Sequence, residues 1–249
     1  MKTTIRAALV SILAGTAVFG EPDHVDAQRT LRDVKGRFFE IANWSLEGTA
    51  GYGNIGRLLL QDVGDRQREL NPTGQFSWGF GAAVVVLERT EVRLGFTRVT
   101  GNLAYDDDTG DDGSFLDVDD LGDIGASILT IEAGRFLFAH QGRFSPYARA
   151  GFAIAWWGLD DESGEFLENG TETRLGGSGA LGLQYRVTRQ VAVRVEAATF
   201  RGRNPFTGKS SFRTTDGFTI DEPASISANV YRAVISVGLG RPRPFDRER

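Results

Sequence analysis

The sequence predicts an all-β fold: a closed eight-stranded antiparallel up-and-down barrel of the transmembrane kind over residues 28–249, behind a signal peptide at residues 1–27. Three observations predict it. Eight runs alternate large apolar residues with small or polar ones, the period of two that marks a strand with two unlike faces. The connections between runs alternate long, short, long, short, long, short, long, which places the long loops at one rim and the tight turns at the other. Charged residues recur opposite the apolar face in most of the runs.

Composition narrows the alternatives. The 249 residues include no cysteine, which removes disulfide frameworks, thiol nucleophiles and cysteine-containing zinc sites together. Glycine (32) and phenylalanine (17) suit strands and turns. Beyond the N-terminus no apolar run reaches about 18 residues, so a helical membrane span in the mature chain is not expected. A net charge of −5 offers no basic footprint for nucleic acid. At the N-terminus Lys2 and Arg6 precede an apolar stretch from Ala7 to Phe19, with cleavage expected after Gly20 or Ala27. The chain is therefore expected to be exported.

The first run, Asn43 to Tyr52, sets Trp44, Leu46, Ala50 and Tyr52 opposite Glu47. Residues 53–74 read as a long connection, with Asn71-Pro72-Thr73-Gly74 as its turn signal. A hairpin follows from Gln75 to Val99, bent at Glu88-Arg89-Thr90-Glu91; Phe76, Trp78, Phe80, Val84, Val86, Val92, Leu94 and Phe96 share one face and Arg93 takes the other. Each arm exceeds the usual strand of about five or six residues. Tilted near 45°, each would span roughly 25–30 Å.

An acidic stretch from Asp106 to Asp123 reads as a solvated loop. The next run, Ala126 to Phe138, sets Leu129 and Ile131 opposite Glu132, with Arg135 at the rim where its stem can snorkel. Tyr147 to Trp157 sets Phe152, Ile154 and Trp156 opposite Arg149, and a second acidic connection covers residues 158–173. Arg174 to Val187 sets Leu175, Leu181 and Tyr185 opposite Arg174 and Gln184. After the turn Val187-Thr188-Arg189-Gln190, Val191, Val193 and Val195 alternate with Arg194 and Glu196. Beyond the polar loop 201–225, the last run sets Tyr231, Ile235 and Leu239 opposite Arg232.

Hydrocarbon offers no partner to an open sheet edge, so such strands can span a bilayer only if the sheet closes. Eight strands enclose room for side chains and little more. The apolar faces are thus expected to meet lipid through Trp44, Phe76, Trp78, Phe80, Leu94, Phe96, Trp156 and Tyr231. The interior is expected to hold a paired polar network of Glu47, Arg93, Glu132, Arg149, Arg174, Arg194, Glu196 and Arg232. Aromatics near run ends, including Trp44, Tyr52, Trp157, Phe200 and Tyr231, suit two interfacial girdles. Alternation alone also fits a soluble lipocalin-like barrel with the faces exchanged; run length and loop rhythm favour the membrane. A narrow channel in the same membrane is a further alternative.

Residues 38–240 resemble the small eight-stranded outer-membrane barrels typified by the transmembrane domain of outer membrane protein A and by OmpX-like proteins. The likeness rests on strand alternation and loop rhythm. It implies a place in the Gram-negative outer membrane, contact with its lipid and lipopolysaccharide, insertion by the outer-membrane assembly machinery, and a monomer with an unidentified partner at its long loops. The role expected is structural or surface-interaction, and the chain's own residues and charge lead to no expected cofactor, metal, nucleic-acid partner or enzymatic activity. The family usually ends on an aromatic residue, whereas here Phe245 is followed by Asp246-Arg247-Glu248-Arg249.

Three motifs carry no chemistry on this reading. Gly51-Tyr52-Gly53-Asn54-Ile55-Gly56 spells a dinucleotide-binding fingerprint, but that use needs a following helix and a βαβ unit, so a glycine-rich strand end is expected. Asp108, Asp112 and Asp119 have offsets like a calcium loop, yet Gly110 stands at a ligand position and strands flank it. Acyl-transfer chemistry would want a histidine beside a serine; His24 leaves with the signal and His140 sits in a short turn.

Overall fold

The computed structural model describes residues 43–63, 66–87, 89–107, 116–138, 143–161, 170–205, 207 and 224–239. It contains β1 (Asn43–Ile55), β2 (Leu59–Val63), β3 (Arg66–Leu87), β4 (Thr90–Asp107), β5 (Leu116–Phe136), β6 (Phe144–Asp161), β7 (Gly170–Arg186), β8 (Val191–Arg203) and β9 (Ser225–Leu239). Neighbours in sequence pair antiparallel from β3 to β9. β1 then closes the sheet, pairing with β9 from Trp44↔Leu239 to Ile55↔Ala228 and with β3 from Asn43↔Val85 to Tyr52↔Phe76. Eight strands form the wall. Among the described residues β2 pairs only with the outer end of β3, from Leu59↔Leu70 to Val63↔Arg66.

Residues 53–74 are therefore not a plain connection: they hold the end of β1, all of β2 and the start of β3. The signal Asn71-Pro72-Thr73-Gly74 makes a bulge, not a turn. Gly74 has φ 58°, and the β3–β4 register shifts between Thr73 and Phe76. The acidic stretch is also partly ladder, since Asp106 pairs with Asp117 and Asn102 with Asp123. The first tight turn is shorter than expected, because β4 begins at Thr90 and makes Glu91 a strand residue.

Trp44, Phe76, Trp78, Phe80, Leu94, Trp156 and Tyr231 are exposed on the outer wall, and Phe96, half-buried, shares their side of β4 and lies against Trp78 and Phe80 at ring distances of 5.9 and 5.2 Å. The apolar belt runs from Trp44 to Tyr52 on β1 and from Tyr231 to Leu239 on β9. About nine residues on a strand tilted near 40° climb roughly 20–25 Å, the height of the apolar band of a membrane barrel. A lipocalin-like barrel would need these faces reversed.

The interior has two layers. In the half nearer the tight turns it is charged. In the half nearer the long loops it is apolar, packed by Ile55, Val99, Ile124, Ile128, Trp157 and Ile226 among others. A wholly polar interior was expected; the apolar layer corrects it. Trp157 and Phe200 are fully buried with ring centroids 6.1 Å apart, so they belong to this layer and not to an interfacial girdle. Glycines make room for the rings: a Cβ at Gly176 would fall 2.6 Å from the Phe200 ring. Asn204 Nδ2 donates to the Leu58 carbonyl at 2.9 Å, tying the residue just past β8 to the segment between β1 and β2.

Candidate functional site: the charged interior

The charged layer is built by strand parity. Glu47 on β1, Glu91 and Arg93 on β4, Glu132 on β5, Arg149 on β6, Arg194 and Glu196 on β8 and Arg232 on β9 all face inward and are buried. Four carboxylates meet four guanidiniums, so the layer is electrically balanced, the condition under which charges can be held away from water.

Arg194 reaches furthest. It donates from Nη1 to Glu47 Oε1 at 2.7 Å, from Nη2 to Glu91 Oε2 at 2.8 Å and from Nε to Gln184 Oε1 at 3.0 Å, joining β8 to β1, β4 and β7. Arg93 donates from Nε to the other oxygen of Glu47 at 2.6 Å. Arg149 donates to Glu91 Oε1 at 3.1 Å and to Glu196 Oε2. Arg232 holds Glu196 Oε1 through Nε at 2.8 Å and donates from Nη1 to Thr97 Oγ1 at 2.7 Å. Glu132 is held more loosely, with Oε2 3.4 Å from Arg149 Nε and 3.6 Å from Arg93 Nη1.

Tyr147 completes the layer. Its hydroxyl donates to Glu196 Oε2 at 2.7 Å, while the guanidiniums of Arg149 and Arg194 lie 5.0 and 5.3 Å from its ring centroid. The ring rests on Gly182, where a Cβ would fall 2.4 Å from it. Gly95 does the same for Arg93: a Cβ there would meet Nη1 at 2.1 Å.

Seven of the eight charged residues expected inside thus converge. Arg174 does not. It sits nearer the long loops, one-third exposed, where Nη1 contacts Glu172 at 3.1 Å and Nη2 donates to the Pro205 carbonyl at 3.0 Å. Glu91 and Tyr147 take part beyond the expected set, and Gln184 and Thr97, on the inward faces of their strands, hydrogen-bond to Arg194 and Arg232. Glu91 shares the parity of Arg93 two residues on, and a turn ending at Arg89 would have revealed it. Among the described residues no three His, Cys, Asp or Glu side chains are grouped to hold a metal. His24, His140, the signal segment, Phe245 and the centre of the acidic stretch lie outside the described residues.

The arrangement binds strand to strand and leaves no acid or base poised toward solvent within it. The fold is that of a small eight-stranded outer-membrane barrel. No protein-family model and no curated protein sequence matches the chain. Among solved structures it is similar to Neisserial surface protein A (14% identity, TM-score 0.46, covering 80% of this chain and 99% of that one). It is also similar to OprG from Pseudomonas aeruginosa (12%, TM-score 0.48, covering 79% and 93%) and to Ail, the attachment invasion locus protein of Yersinia pestis (8%, TM-score 0.41, covering 78% and 97%). The assignment of the fold rests on the strand pairing described above.

Proposed function

We propose that this chain is a monomeric protein of the bacterial outer membrane whose barrel is a sealed scaffold, holding long loops at the outer rim for a structural or surface-interaction role. The observation that carries the reading is the interior. A balanced layer of ion pairs and an apolar layer fill it in series, while the apolar belt faces outward. A wall that meets lipid outside and packs solid inside does no transport and no chemistry along its axis. What varies freely in such a fold is the loop rim. Neisserial surface protein A and Ail carry surface and attachment in their names; a comparable role, with partner contacts on the long loops, agrees with the build of this one.

Extraction tests the reading. The mature chain is expected to partition with membranes, to need detergent for solubility, and to run faster on a gel unheated than boiled. A chain soluble in plain buffer with a single mobility would end the membrane assignment.

A further inference from the structure

Directly above the apolar belt, the outward face of β4 changes from Phe96 to Arg98, Thr100 and Asn102. The register carries the change across the wall. Arg98 lies beside Ser127, Thr100 beside Gly125 and then Gly158, and Asn102 beside Asp123 and then Asp160. With glycine at the middle level, the wall is hollowed into a groove of about 730 Å3, with Phe76 and Arg98 among its lining residues.

Arg98 donates from Nη1 to Ser127 Oγ at 2.8 Å and lies across Gly125, where a Cβ would come within 2.6 Å of Nη2. It makes no ion pair among the described residues. A guanidinium at the margin of hydrocarbon is costly unless an anion meets it. The two carboxylates of the groove, Asp123 and Asp160, stand at the level of Asn102, four residues further up the strands. At about 3.3 Å per residue that is roughly 13 Å away along the strand.

We propose that this groove seats a glycolipid of the outer leaflet through its phosphorylated saccharide headgroup. The phosphate lies on Arg98, a pairing that guanidinium geometry favours. Saccharide hydroxyls donate to Asp123 and Asp160, and the acyl chains run down the belt over Phe76 and Phe96. The carboxylates select for sugar: they would repel a bare phosphate at that height but accept hydroxyls. The length from Arg98 to Asp123 matches a disaccharide better than a glycerol phosphate. This site rests on the membrane reading above.

The test is to refold the chain into phosphatidylcholine vesicles doped with either monophosphoryl lipid A, whose disaccharide carries a phosphate at one end only, or phosphatidylglycerol at equal phosphate, and to measure by native mass spectrometry which lipid stays bound after detergent extraction. Lipid A is expected to be retained and phosphatidylglycerol lost. Arg98→Gln and Gly158→Leu are each expected to lower retention about tenfold while the heat-dependent gel shift persists. Nothing lies within 4 Å of a Cβ added at Gly158, so the leucine fills the groove without disturbing the wall. Equal retention of the two lipids, or full retention in both variants, overturns the groove and leaves the barrel in place. Failure of the unaltered chain to enter vesicles overturns the membrane reading itself.

Discussion

A buried charge is stable only as part of a set, and the members of this set are unequally held. Glu196 receives hydrogen bonds from Arg149, Arg232 and Tyr147, whereas among the described residues Glu132 makes only the two longer ionic contacts. Glu196→Gln leaves two guanidiniums short of an anion and is expected to cost about 3–5 kcal/mol, the range for breaking a buried pair. Glu132→Gln is expected to cost less than half of that. Urea unfolding in vesicles measures both, and equal losses would show that net charge, not bond geometry, governs the layer. Gly182→Val tests the packing partner: its Cβ would strike the Tyr147 ring, so a loss of about 1–3 kcal/mol is expected in the same assay. At this scale the sequence was largely legible. Parity alone places Glu47, Arg93, Glu132, Arg149, Arg194, Glu196 and Arg232 on inward faces. It says nothing of height, which is why Arg174, with the right parity, sits too near the loops to join them.

Elements proved less legible where the chain departs from a simple ladder. Pro72 and Gly74 read as a turn, but β3 continues through them by bulging, and at the bulge the β1–β3 pairing stops after Tyr52↔Phe76. A side chain then stands in for backbone. Gln75 Oε1 accepts from the Ile55 amide, and Nε2 donates to the carbonyls of Ile55 at 3.4 Å and Pro72 at 3.0 Å. Gln75 is buried, so Gln75→Leu keeps the volume and strands those groups. The expected cost is about 1–3 kcal/mol, with faster hydrogen exchange at the Ile55 amide and unchanged exchange at Glu47. Unchanged exchange at Ile55 would mean that water satisfies the bulge. The apolar inner layer escaped notice for a related reason. Val99, Ile128, Ala153 and Ala155 are ordinary strand residues whichever way they face, and the adjacent Trp156 and Trp157 point to opposite sides of the wall.

For the molecule as a whole, the two layers act in series, so neither alone determines whether ions pass. Removing Trp157 opens space only in the apolar half, and the paired charges beneath still fill the section between β1, β4 and β8. Removing Arg194 breaks that lower tie, but the rings of Trp157 and Phe200 still close the path above. Planar-bilayer recording is therefore expected to show no steady conductance from the unaltered protein. Trp157→Ala and Arg194→Ala are each expected to remain closed, and the double substitution to conduct, since an eight-stranded wall is wide enough for a water file only when its side chains are shortened. Each substitution also weakens the barrel, so the heat-dependent gel shift must be recorded beside the current. Steady conductance from the unaltered protein, or from Trp157→Ala alone with the gel shift intact, would show that the charged layer yields to ions and that the chain is a channel after all.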